Sequence, residues 1–173
     1  MAIPTWIPGQ VLAAADVNSW FTPEAVVKPS TTSRTTATIS ADPALTVNLT
    51  AGGLYEVRCM IFYNGLNAGG YLQWNWTVPS GGAFNYLPLY PLQGGSLDTG
   101  YKIGAVAGVE AAAGTTVGPA WTEGPLVIKA ALLQGLATAG SGGPLTFNWG
   151  QGTANGTATQ VMANSYLIAQ RIS

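Results

Sequence analysis

Leu54-Tyr55-Glu56-Val57-Arg58-Cys59-Met60-Ile61-Phe62-Tyr63-Asn64-Gly65 is the stretch that decides the fold. Successive side chains of an extended strand point to opposite sides, and Tyr55, Val57, Cys59, Ile61 and Tyr63 make one of those sides apolar throughout. The other side begins with Glu56 and Arg58 and continues with Met60 and Phe62, so half of it is expected to be covered as well. Asn64-Gly65 is turn chemistry, suited to a left-handed backbone, and ends the strand.

Downstream of that strand the same period recurs. Tyr71 to Val78 alternates Leu72, Trp74, Trp76 and Val78 with Tyr71, Gln73, Asn75 and Thr77, then stops at Pro79-Ser80-Gly81-Gly82. Phe84 to Tyr90 reads as an edge strand, because Pro88 and Pro91 cannot donate to a central ladder. Upstream, Arg34 to Ser40 and Leu45 to Leu49 read as two strands about an Asp42-Pro43 turn. Further along, strands are expected at Tyr101 to Val106, Thr115 to Trp121, Leu126 to Ala137, Leu145 to Trp149 and Gln160 to Arg171. Leu126 to Ala137 fits a helical period too, but its neighbours are β and Pro125 and Gly135 bound it. Eight to ten strands at this spacing predict an all-β, jelly-roll-like β-sandwich over residues 30–173.

Residues 1–29 have a different texture and read as an N-terminal arm. Ala13 to Trp20 fits a two-turn helix stopped by Pro23. A helix that short is marginal alone, so Trp6, Ile7, Val17, Trp20 and Phe21 need a surface to pack on and are the candidate anchoring residues. The N-terminus lacks the charged and apolar regions of a secretory signal, and no apolar run reaches membrane-spanning length. The expectation is a chain made in the cytoplasm, without membrane insertion.

Composition narrows the function. Hydrophobic residues make up 47% of the 173 and charged residues only 8%, against roughly a quarter in ordinary soluble domains. A surface of Gly, Ser, Thr, Asn and Gln with a net charge of −1 offers little repulsion between copies, so self-association or burial in an assembly is expected. Six scattered cations, Lys28, Arg34, Arg58, Lys102, Lys129 and Arg171, build no basic patch, which excludes phosphate-driven nucleic-acid binding. Cys59 stands alone, without disulfide or metal-ligand companions, and is expected to be a small buried hydrophobe.

The chain contains no histidine, so His-based nucleophile systems are impossible and the commonest metal ligand is missing. No catalytic, cofactor or metal residue is assigned. Glycan hydrolysis, which needs two carboxylates about 5–10 Å apart, is the one enzyme class left. Asp16 and Glu24 fall in the arm, Asp42 precedes a turn proline and Glu56 shares a strand side with Arg58, leaving Asp98, Glu110 and Glu123. Trp74, Trp76 and Trp149 are in phase with apolar neighbours and read as core. Tyr86, Tyr90, Tyr101 and Trp121 fall in loops or edge strands and are the candidates for contact with a partner or a glycan.

Two stretches carry a resemblance. Trp6-Ile7-Pro8-Gly9-Gln10-Val11-Leu12 with Asp16-Val17-Asn18-Ser19-Trp20 resembles the leader of many tailed-bacteriophage structural proteins, head fibres, decoration proteins and tail fibres alike. Leu145-Thr146-Phe147-Asn148-Trp149-Gly150-Gln151-Gly152, followed by Ala163-Asn164-Ser165-Tyr166-Leu167-Ile168-Ala169, is similar to the closing strands of phage trimeric jelly rolls, which share the shape of tumour-necrosis-factor and complement-type trimers. Gly150 replaces the usual Ala, and Asn164 the usual Gly, which Asn can follow into a left-handed backbone. The resemblance implies a non-enzymatic virion protein, a homotrimer on the capsid exterior that needs no cofactor. Its arm would bind the major capsid protein or another virion protein; the alternative is a minor tail protein recognising a host-surface glycan.

Overall fold

The structure is a computed structural model that describes residues 8, 9, 11, 14, 22–64, 72–91, 101–103, 108–110, 116–117 and 128–173. They form β1 (Glu24–Val27), β2 (Thr32–Arg34), β3 (Ser40–Leu49), β4 (Leu54–Asn64), β5 (Leu72–Thr77), β6 (Ala83–Pro91), β7 (Tyr101–Ile103), β8 (Gly108–Glu110), β9 (Thr116–Val117), β10 (Lys129–Thr138), β11 (Gly143–Gln151), β12 (Thr159–Val161) and β13 (Tyr166–Arg171). The larger sheet runs β1-β13-β4-β10-β6-β7, with β12, β2 and β8 paired beside this path; the smaller runs β3-β11-β5-β9. Their inner sides share one hydrophobic core, and the domain is an all-β, jelly-roll-like sandwich.

The deciding stretch forms β4, at the middle of the larger sheet. Val57, Cys59 and Ile61 are wholly buried, and Tyr55 and Tyr63 nearly so. Opposite them lie Leu45, Val47, Leu145, Phe147 and Trp149 of the smaller sheet. Trp74 and Trp76 are core residues as expected; Trp76 meets Phe84 and Phe147 edge-on at centroid distances of 5.0 and 5.4 Å. Lys129 to Thr138 is a strand, paired with β4 over ten successive residues. Gly135 is needed on it, because a Cβ there would overlap the backbone of Asn85 and Tyr86 on β6.

Several boundaries move. The larger sheet begins at Glu24, where β1 pairs with β13, so the body takes in residues 24–29. Asp42-Pro43 is not a turn but lies inside β3. Proline gives no ladder hydrogen bond, and the pairing with β11 slips there, from Thr46 opposite Thr146 to Ala41 opposite Asn148. The strand expected at Arg34 to Ser40 is absent; β2 ends at Arg34 and β3 starts at Ser40. Nor is β6 a free edge. β7 pairs with Leu89–Pro91 and β8 with Phe84–Tyr86, and Pro88 falls in the gap between these partners. Gln160 to Arg171 divides into β12 and β13, which follow one another along the same edge of β4. The break holds Asn164 at φ 67°, and the Ser165 hydroxyl accepts from the Phe62 N–H and donates to the Met162 carbonyl. Gly150 also has a local reason, since a Cβ would come within 2.8 Å of the Thr38 carbonyl oxygen.

Of Ala13 to Trp20, where a helix is expected, only Ala14 is among the described residues, and the anchoring candidates Trp6, Ile7, Val17, Trp20 and Phe21 are not.

Candidate functional site

Strand register fixes which side chains share the outer side of the larger sheet. One row across it reads Val27, Tyr166, Met60, Leu132, Leu89, from β1 through β13, β4 and β10 to β6. All five are apolar or aromatic. The next row is Ala25, Ile168, Arg58, Gln134, Leu87, and the one after it carries Gln170, Glu56, Leu136 and Asn85. The first of these rows is apolar and the other two are mixed; beyond Phe62 the same face turns polar again at Ser33, Gln160 and Asn64. Val27 is 61% exposed, Leu136 46% and Leu87 37%, while Met60, Phe62, Leu132, Tyr166 and Ile168 are half-buried. Large contiguous apolar patches are uncommon on monomeric soluble proteins.

The mixed end carries one ion pair. Arg58 donates from Nε and Nη2 to Glu56 Oε1 at 2.9 and 2.7 Å, and Gln134 Nε2 reaches the same oxygen at 3.3 Å. This end also receives the arm and the last residues. Glu24 stands level with Ala169 and Val57, and the Leu54 N–H donates to the Ser173 carbonyl.

The outer side of the smaller sheet is unlike this. Thr46 and Thr146 hydroxyls bond at 3.0 Å, and Asn148 Nδ2 donates to Asn75 Oδ1 and Thr77 Oγ1, both at 2.9 Å. It is an uncharged ladder of hydroxyls and amides whose polar atoms already satisfy one another.

Between the sheets sits a charge cluster that the Asp42-Pro43 turn reading missed. Asp42 is fully buried and Lys28 2% exposed. The carboxylate accepts from Lys28 Nζ at 2.7 and 2.9 Å, from Trp149 Nε1 at 3.0 Å and from the Ala44 N–H at 3.1 Å. Lys28 also donates to Thr32 Oγ1. Arg34 stacks 4.2 Å over the Trp149 ring and donates to the carbonyls of Ser40, Ala41 and Trp149. Partial burial lowers its pKa below the ordinary arginine value, opposed by the charge of Asp42. With these bonds made, Asp42 joins β3 to the end of β1 rather than standing ready as an acid or base. Burial pushes the Cys59 thiol well up, as does the negative charge of Asp42, so it is an inert core group.

The remaining candidates lie on β6, β7 and β8 or outside the described residues. Tyr86, expected at the surface, is 4% exposed and accepts a hydrogen bond from Trp74 Nε1 at 3.2 Å. Two residues along β6 from buried Phe84, it shares that strand's inner side and stacks on the Phe84 ring at 4.9 Å. Tyr90 lies in β6 and Tyr101 in β7, opposite Pro91; Trp121, Asp98 and Glu123 are outside the described residues. Glu110 closes β8 opposite Phe84. Glu24 lines a cleft of about 390 Å³ at the base of the arm with Thr22, Asn48, Thr50, Tyr55 and Arg171. Among the described residues no three His, Cys, Asp or Glu side chains gather as a metal site, and no helix is long and apolar enough to cross a membrane.

The apolar outer row is only half legible in the sequence. Met60 and Phe62 interrupt the polar side of β4, but its partners on β10 and β13 emerge only once the register is known. No protein-family model and no curated protein sequence matches the chain.

Proposed function

We propose that this chain is a non-enzymatic structural protein of a tailed-phage virion, a homotrimeric capsid decoration or head-fibre protein. The observation that carries this reading is the apolar outer row Val27–Tyr166–Met60–Leu132–Leu89, on the larger sheet alone. Three copies packed on that face about a common axis would take it out of water and leave the hydroxyl and amide ladder of the smaller sheet outside. The sparse charge of the chain suits such packing. The leader resemblance supplies the phage origin, and Trp6, Ile7, Val17, Trp20 and Phe21 are the proposed contacts with the major capsid protein or another virion protein.

Two measurements test this. Light scattering on the purified chain is expected to give three times its 17.8 kDa mass, and a monomer overturns the trimer. A reconstruction of the particle is expected to show three-fold density on the capsid exterior with residues 1–23 on the shell. Density at the tail alone replaces decoration with host recognition, and absence from the particle removes the virion role.

A further inference from the structure

Glu56 and Arg58 are the only charged side chains on the outer face of the larger sheet among the described residues. They stand on β4, its middle strand, flanked by Gln170 and Leu136 and by Ile168 and Gln134. Within one chain the pair has little to do. The Arg58 side chain is 57% exposed and that of Glu56 34%, and an exposed pair of this kind adds little to stability, because water screens it and two long side chains must be held still. If the face is covered, both charges lose water and each needs a partner.

Symmetry decides which partner. In a three-fold ring the residues next to the axis approach their own copies, and a trimer closed on this face would bring its inner strand β4 there. An acid alone or a base alone would meet like charges there; one of each per chain can alternate. Resting on the trimeric reading above, we propose that Glu56 and Arg58 form an intersubunit ring. On assembly each Arg58 leaves its own Glu56 and pairs with the Glu56 of the neighbouring copy. The ring lies at the end of the interface where the arm enters. The apolar row supplies adhesion, and the ring supplies register, since a copy slid along the axis or packed upside down brings charge against apolar side chains.

The test uses full-length chains with one charge each, Arg58→Gln and Glu56→Gln. Neither can make the internal pair, so an internal role gives no advantage to mixing them. An intersubunit ring gives one: each variant alone is expected to dissociate at roughly tenfold higher concentration than the wild type, while native mass spectrometry of the mixture shows mixed trimers in excess of binomial proportion. The double exchange Glu56→Arg with Arg58→Glu is expected to restore wild-type dissociation. A binomial mixture of equally stable trimers overturns the ring and leaves the trimer standing. A wild-type chain that is monomeric under the same conditions overturns the trimeric reading and the ring with it.

Discussion

The two sheets share one core yet present opposite outer faces. On the smaller sheet Thr46, Thr146, Asn148, Asn75 and Thr77 spend their hydrogen bonds on each other; on the larger, Met60, Leu132, Leu89, Ile168 and Val27 have nothing polar to offer. Each strand alternates one shared side with one face of its own, and the two outer faces could have been equally polar at no cost to the core. That they are not implies that the chain is built to be seen by water from one side. The polar face is satisfied by its own hydrogen bonds, whereas the apolar one is the surface that the proposed trimer would cover.

Reversing this contrast at one position is the strongest way to break it. Leu132→Asp places a carboxylate inside the apolar row; if the chain is the proposed trimer, light scattering should fall to the monomer mass while circular dichroism keeps its β signal. Asn75→Asp, on the opposite face, should leave the mass unchanged. The contrast also requires the sheets to be held together. Lys28→Ala leaves Asp42 buried without its cation, and denaturant unfolding should show a loss of about 3–5 kcal/mol. Replacing both, Lys28→Met with Asp42→Leu, should recover only part of it, because the buried charges disappear together while Trp149 Nε1 and the Ala44 N–H lose their acceptor. The polar ladder sharpens the comparison at smaller scale. Asn148→Ala removes two side-chain hydrogen bonds and should cost about 1–2 kcal/mol in the same assay, without altering oligomeric mass. Thr46→Val with Thr146→Val removes both ends of a bond and should change stability by less than about 0.5 kcal/mol. Cys59, sealed in the core and held as a thiol, should resist a thiol reagent until the protein unfolds, which Ellman titration with and without denaturant would measure.

Much of the sandwich was legible because a half-buried strand writes its burial every second residue. Leu54 to Tyr63 and Tyr71 to Val78 did so, and even Leu126 to Ala137, with a competing helical period, was settled by its β neighbours. What failed was punctuation. Pro43 reads as a turn, but a strand that meets its neighbour on one side only can carry a proline by slipping register. Pro88 reads as an edge signal, yet two short partners leave it a gap. The buried Lys28–Asp42 pair was hidden for the same reason, since neither residue advertises a partner fourteen positions away across two sheets. The apolar outer face was the least legible, because its rows combine residues more than one hundred positions apart, such as Val27 with Tyr166 and Met60 with Tyr166.

The place of β13 bears on how the chain is made. It lies between β1 and β4, so β1 joins the larger sheet only when β13, the last of the described strands, is in place. Until then β1 has its contacts with β3 to hold it, the Lys28–Asp42 pair among them. Closure of the larger sheet is thereby tied to β13, and fragments ending before Tyr166 would lack a seated β1 and a finished outer face.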